Sequence, residues 1–358
     1  MNKIILIGNG FDLAHGLKTR YKDFIDDFWE KEKEKVIAET RKDSDNFVYT
    51  DETITMISPC HPSTLPQEIH NNERGYKWFY KNSESGYGKH INDRLIKLSV
   101  TFKNVFIKEI TEKTDLEDWV DIEEEYYSAL KKCLDDENEE RIIKLNKDFL
   151  AVQKALEKYL LNQTKEITNA SPKIKENLIS LLNHPINDGD DILILNFNYT
   201  NTECYYIESS SDYFPNRIEC IHIHGELRNK DNSIIFGYDD DIDDKFKRIE
   251  QQNNNNFLKN VKLLKYLETD NYKRLLNFIN REKFQVFIMG LSCGISDRTL
   301  LNKIFEDENC ISIQVFYHKE EDGTDDYYDK ISNISRSFTK RTLMIEKVAN
   351  KKDSKPLT

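Results

Sequence analysis

Roughly 180 residues separate the first strand-like apolar run from the second, and that gap constrains the fold more than any other feature. The first run is Ile4–Ile7 and the second is Ile192–Leu195. Further runs rich in Ile, Val and Phe follow at Ile218–Ile223, Ile234–Phe236, Val286–Met289, Ile311–Phe316 and Leu343–Ile345. Several are apolar nearly throughout, as strands covered on both faces by helices must be. Helical patterns lie between most of them. The expected fold is therefore α/β, with a mostly parallel sheet of about six or seven strands.

Most of the gap has helical period. Ile91, Leu95, Leu98, Phe102, Val105 and Ile110 form one apolar stripe, and Trp119, Ile122, Tyr126, Ala129 and Cys133 a second. Ile142, Leu145, Phe149, Val152, Leu156 and Tyr159 alternate by three and four, which predicts a long helix packed along one face. A large α-helical insertion after the first strand accounts for this. The organisation expected is a discontinuous sheet domain over 1–20 and 185–350, an inserted helical subdomain over 21–184, and a flexible tail over 351–358. Residues 43–88 mix Pro, Ser, Asn, Tyr and His without a period and read as a long loop with at most one short helix. The acidic run Asp239–Asp244 and the polar tract Gln251–Asn256 also read as flexible.

Composition narrows the function. No run of 18 apolar residues occurs, so no membrane span is expected. The opening apolar stretch is short and runs straight into Gly8-Asn9-Gly10, so it reads as a strand rather than a signal peptide, and the expected compartment is the cytoplasm. Cys60, Cys133, Cys204, Cys220, Cys293 and Cys310 form no Cys-x-x-Cys pair and no metal-ligand spacing. They read as small core residues in a reducing compartment, and no metal is expected. A formal net charge of −12 argues against broad adhesion to nucleic acid, which needs a basic footprint. It leaves room for a small anion held by backbone N–H groups.

Four motifs follow predicted strands. Gly8-Asn9-Gly10-Phe11-Asp12 is a glycine turn that either cradles a pyrophosphate or simply turns the chain. Leu13 stands where the dehydrogenase fingerprint needs its third glycine, and no acid-ending second strand follows at the usual distance, so hydride transfer is not expected. Asp12 would repel phosphate and is expected to accept from a ribose hydroxyl or to cap a turn. Asn196-Phe197-Asn198-Tyr199-Thr200 places amides and a hydroxyl at a strand end, where they serve either a ligand or an Asx turn. In His222-Ile223-His224-Gly225-Glu226, alternation puts both histidines on one face. Gly225 admits a ligand or another backbone beside His224. Gly290-Leu291-Ser292-Cys293-Gly294-Ile295-Ser296-Asp297 opens a helix, so Ser296 or Asp297 is either its N-cap or a ligand contact. In a parallel sheet these carboxyl ends gather on one rim, and their convergence predicts a nucleotide-sized pocket.

The segment Ile5–Leu17, continuing through Thr19-Arg20-Tyr21 to Phe24, resembles the opening signature of the phage abortive-infection AbiH family. Asn196–Thr200, His222–Glu226, Phe236-Gly237-Tyr238 and Met289–Leu300 follow in that family's order, and Trp119-Val120-Asp121-Ile122-Glu123 also resembles a family element. The resemblance implies antiphage defence by abortive infection. The motif order is further similar to the sirtuin-like group, which binds NAD on a Rossmann-like sheet. That likeness implies that Gly8, Asn9, Gly10, Phe11 and Asp12 meet the dinucleotide, with Asn196, Thr200 and Gly225 beside it. It further implies that Asn198 faces the nicotinamide end, that His224 does the proton work, and that Gly290, Ser292 and Asp297 lie toward the adenosine. Related defence proteins show Asn-Tyr-Asp where this chain has Asn198-Tyr199-Thr200, which removes a carboxylate.

The leading expectation is an NAD glycohydrolase, with NAD as substrate rather than tightly bound cofactor, His224 as general base and Asn198 placing water or the carboxamide. The alternative is a non-catalytic sensor of NAD or ADP-ribose that signals through a partner or oligomer. A third is a metal-dependent nuclease built on Asp239, Asp240, Asp241, Asp243 and Asp244. A phage component is the expected trigger and a homo-oligomer the expected assembly. Deacylation is not expected, because there is no zinc-binding cysteine quartet.

Overall fold

The computed structural model describes residues 1–39, 47–58, 75–76, 79, 88–91, 94–97, 99–116, 121–136, 138–164, 171–183, 191–207 and 218–358. It divides into two compact units, one formed by residues 1–19 with 160–358 and the other by residues 20–159.

The first unit is an α/β layer structure. Its strands are β1 (Asn2–Ile7), β7 (Ile192–Asn196), β8 (Ile218–His222), β9 (Phe284–Met289), β10 (Cys310–Tyr317) and β11 (Lys355–Pro356). They form one six-stranded sheet in the order β11-β10-β9-β1-β7-β8, every pairing parallel. β1 lies inside the sheet and all six of its residues are buried. Successive side chains leave a strand on opposite faces, so Ile4 and Leu6 join one core while Ile5 and Ile7 join the other. On the first face lie Leu275, Phe278 and Ile279 of helix Asn271–Ile279 and Leu301, Ile304 and Phe305 of helix Arg298–Phe305. On the second lie Ile174, Leu178 and Leu182 of helix Pro172–Asn183. Double coverage explains why these strands read as continuous apolar runs rather than alternating ones.

Several sequence expectations change here. Helix Pro172–Asn183, read as part of the insertion, packs on the sheet instead, because its apolar stripe covers the face that carries Ile5, Ile7, Ile192 and Ile194. Ile234–Phe236 belongs to no strand. It folds back on the turn after β8, where the Ile235 N–H donates to the His224 carbonyl at 2.8 Å. Leu343–Ile345 lies in helix Arg341–Lys347, and Ile345 points into solvent. The segment read as a tail contributes β11. Lys355 and Pro356 pair with Phe316 and Tyr317, Leu357 is buried, and Asn177 donates to both the Pro356 and Leu357 carbonyls. The acidic run is also ordered: Asp239 and Asp240 are buried.

The second unit contains helices Tyr21–Glu39, Val105–Leu116 and Ile122–Asp136 and most of Glu139–Gln163. The three-and-four pattern from Ile142 to Tyr159 is buried throughout, as read from the sequence. Of the stripe read as helical, Ile91, Leu95 and Phe102 lie in strands, and Leu98 lies outside the described residues. β2 (Phe47–Thr50), β3 (Ile54–Ser58) and β6 (Ser99–Phe102) form a small antiparallel sheet, and β4 (Gly88–Ile91) pairs with β5 (Arg94–Lys97). Phe47 and Tyr49 are buried while Val48 and Thr50 are exposed, the period of a half-covered strand. Asp51 makes the turn by accepting from the Thr53 and Ile54 N–H groups. The next helix begins only at Val105, where the Asn104 side chain accepts from the Ile107 N–H. The remainder of the long loop expected over 43–88 lies largely outside the described residues, as do Cys60, Trp119 and Val120. No described helix is long and apolar enough to cross a membrane.

Candidate functional site

The carboxyl ends of β1, β7, β8 and β9, which are adjacent in the sheet, carry the four motifs and are bonded into one rim. After β1 the loop is only Gly8, since Asn9–Leu13 is a short helix rather than the expected turn; the Gly10 N–H donates to the Gly290 carbonyl at 2.7 Å, joining this β1 segment and the β9 loop. The Asn198 amide donates to the Gly8 carbonyl at 3.0 Å, joining the β7 loop to the first. Asn196 accepts from the Asn198 N–H and donates to the Thr200 carbonyl and to Glu203, which fixes the β7 loop as an Asx turn.

Glycine is required at Gly290 for two reasons. Its φ is +78°, and an added Cβ would stand 2.2 Å from the Phe11 nitrogen and 2.7 Å from the Gly10 carbonyl carbon. The close approach these glycines permit is therefore between two loops of the protein. Gly225 is similar: with φ +82°, its missing Cβ leaves room for the Ser233 carbonyl. Phe11 is buried in the core beside Tyr206, and Asn9 accepts from Thr19 Oγ1 at 2.5 Å. Ser292 is half-buried, with its carbonyl bonded by Asn333.

Asp12 neither caps a turn nor faces open solvent. It is buried, accepting from Thr200 Oγ1 and Thr202 Oγ1 at 2.6 Å each. Burial pushes its carboxyl up to about 6, against the lowering effect of those hydroxyls. The Thr200 position thus has a carboxylate beside it after all, supplied from the β1 loop.

The two histidines do not share an environment, because β8 ends at His222 and the chain turns before His224. His222 Nε2 lies 2.8 Å from Glu203 Oε1, and its Nδ1 faces the Asn198 carbonyl at 3.3 Å. Burial alone would lower its pKa, but the Glu203 carboxylate holds it above the ordinary value. His224 Nε2 lies 3.1 Å from both Asp297 Oδ1 and the Tyr266 hydroxyl. Burial and the Lys262 charge lower its pKa, so the imidazole is neutral at pH 7. Asp297 makes no side-chain cap to the following helix and instead pairs with the fully buried Lys262 at 2.8 Å. Burial would raise the Asp297 carboxyl, but Lys262 and His224 hold it well below the usual carboxylate range. Losing one partner of such a pair strands the other, so Lys262→Met is expected to cost about 3–5 kcal/mol of stability, read by urea denaturation. An unchanged midpoint would exclude a structural role for the pair.

The acidic run serves the fold. Asp240 pairs with Arg298, Asp241 with Thr299, and Asp243 caps helix Asp244–Glu250. Asp239 is buried, its Oδ1 has no hydrogen-bond partner among the described residues, and burial with the nearby Asp241 charge raises its carboxyl to about 7 from 3.8. A carboxyl raised in the folded state favours folding fully below the unfolded pKa near 3.8, and that contribution is lost as pH rises through about 7. Asp239→Asn is therefore expected to raise the melting temperature at pH 8, with the gain vanishing near pH 4. An equal effect at both pH values would contradict the burial argument.

Glu203, Tyr266, Lys262 and Cys220 were not legible as site residues. Lys262 and Tyr266 lie far along the chain from His224 without a motif. Cys220 and His222 are two apart on one strand, so alternation alone places both on one face. Glu203, directly after Asn201-Thr202, has both Cys220 Sγ and Cys204 Sγ near the same oxygen, at 3.6 and 3.8 Å.

The fold and this rim define an α/β protein with a six-stranded parallel sheet whose strand ends are joined by buried polar groups. The family model for bacteriophage abortive infection AbiH matches residues 4–319, and the chain belongs to that family. Comparison with curated proteins found no match.

Proposed function

We propose that this abortive-infection protein binds NAD or a closely related nucleotide at the rim and hydrolyses its N-glycosidic bond. The observation that carries the reading is the topology at β1. Counted from β8, the sheet has the 3-2-1-4-5-6 order of dinucleotide-binding sheets, in which ligands sit at the switch point outside the first and fourth strands. In this chain those strands are β1 and β9, and their loops are the ones joined through Gly10 and Gly290.

In this reading nicotinamide departs from an oxocarbenium-like ribose and His224 accepts the proton of the attacking water. Its neutral imidazole suits that role, and the Asp297 carboxylate would stabilise the imidazolium once formed. Asn198 would orient water or the carboxamide. The test is incubation of purified protein with NAD, with and without phage lysate, following nicotinamide and ADP-ribose by mass spectrometry. Product formation supports the reading.

A second reading, nucleotide sensing without turnover, is favoured by the enclosure of the central groups. Asp12, Asn198 and His224 are 1%, 9% and 4% exposed, and each is hydrogen-bonded within the protein. Protection against heating by NAD or ADP-ribose without product would select it. Neither product nor protection would remove the nucleotide assignment.

A further inference from the structure

We propose that Glu203, Cys220 and His222 form a site for a divalent transition-metal ion of the zinc class, independent of whether NAD is turned over. Cys220 and His222 point the same way from β8, and Glu203 arrives from the loop after the adjacent strand β7. Their donor atoms lie within 4.8 Å of one another. Zinc bonds of about 2.0–2.3 Å in a tetrahedron separate neighbouring donors by about 3.3–3.8 Å. The 3.6 Å between Glu203 Oε1 and Cys220 Sγ already fits. The 2.8 Å between Glu203 Oε1 and His222 Nε2 is hydrogen-bond spacing, and has to open by about half an ångström when an ion replaces the proton.

The outer partners a metal site needs are already in place. Metal-binding histidines direct their second nitrogen at a carbonyl or carboxylate, and metal-binding carboxylates are themselves hydrogen-bonded. His222 Nδ1 faces the Asn198 carbonyl, and the second oxygen of Glu203 accepts from Asn196 Nδ2 at 2.6 Å. Asn271 and Asn232 donate to the His222 carbonyl and hold the strand end.

Burial points the same way: Glu203 is fully buried, with the His222 imidazole and the Cys220 thiol against one of its oxygens, a donor set that a divalent ion would satisfy. Mixed sulfur, nitrogen and oxygen donors select zinc-like ions over magnesium or calcium. Three protein donors leave a fourth position for water. Binding releases the Cys220 thiol proton, and any proton on His222 Nε2, to solvent.

The test uses the full chain, stripped with chelator and dialysed, with Zn²⁺ and Co²⁺ as probes. One ion per chain is expected, with a thiolate-to-cobalt absorption band that Zn²⁺ abolishes. Cys220→Ser should weaken Zn²⁺ binding at least about tenfold, and Asn196→Ala about 10–100-fold, with far-UV circular dichroism unchanged. Should either variant fold poorly, the wild-type chain still decides: Zn²⁺ should slow alkylation of Cys220, mapped by peptide mass spectrometry. No bound ion, Zn²⁺ affinity unchanged in Cys220→Ser, or Cys220 alkylation indifferent to Zn²⁺ would overturn the site.

Discussion

The His224→Ala protein is expected to turn over NAD about 10²–10⁴-fold more slowly than the parent, the usual worth of a general base. The loss should fall on kcat more than on KM, since in the proposed reaction the imidazole would act on the transition state rather than on the bound nucleotide. His224→Gln should lose as much, because an amide keeps polarity but accepts no proton at neutral pH. Lys262 and Asp297 pair with each other directly, so removal of the ring leaves their contact in place and the fold should persist. The pH profile supplies a second check. The His224 pKa is lowered by burial and by Lys262, so the midpoint of the rise in activity with pH should lie below the ordinary 6.5 of histidine. Turnover unchanged in His224→Ala would sink the assignment, and a midpoint above 6.5 would contradict the electrostatics.

Gly290→Ala is expected to be among the most damaging methyl additions to the sheet domain. The new carbon meets the Phe11 nitrogen at 2.2 Å and the Gly10 carbonyl carbon at 2.7 Å, and neither is the end of a flexible side chain. Left-handed backbone strain costs a non-glycine residue roughly 1–2 kcal/mol, and overpacking adds about 1–3 kcal/mol. A total near 4 kcal/mol is a large part of the roughly 5–15 kcal/mol that holds a domain together. Gly323 isolates the collision. Its φ is +90°, yet nothing lies within 4 Å of its absent Cβ, so Gly323→Ala should cost only the strain. Urea denaturation of the two variants side by side decides it. Equal losses would mean that the β1 and β9 loops yield to each other easily.

The sheet was legible wherever a strand is covered on both faces. Ile4–Ile7, Ile192–Leu195 and Val286–Met289 announced β1, β7 and β9 because both of their faces are buried. The pattern misled where one apolar run fits two periods. Leu343–Ile345 has the residues of a strand but lies in a helix, and Phe102 reads as a helical position but ends β6. β11 carried too few apolar residues to stand out, since its stability comes from backbone pairing and from Asn177. At the rim, position along the chain identified the loops but not the bonds between them. Asp12 finding Thr200, or His224 finding Asp297, joins residues whose separation leaves no local mark.

The place of β1 inside the sheet also constrains the order in which the protein can fold as it is made. Lys3 pairs with Ile192, and Ile4 with Val286. A ribosome must therefore add roughly 180 residues beyond β1 before that strand gains one neighbour, and most of another hundred before it gains the second. Until then an apolar strand with two open edges waits in solution, a state that favours slow folding and mispairing between chains. Chaperone dependence during expression, relieved by slower synthesis or lower temperature, is the expected behaviour of such a topology.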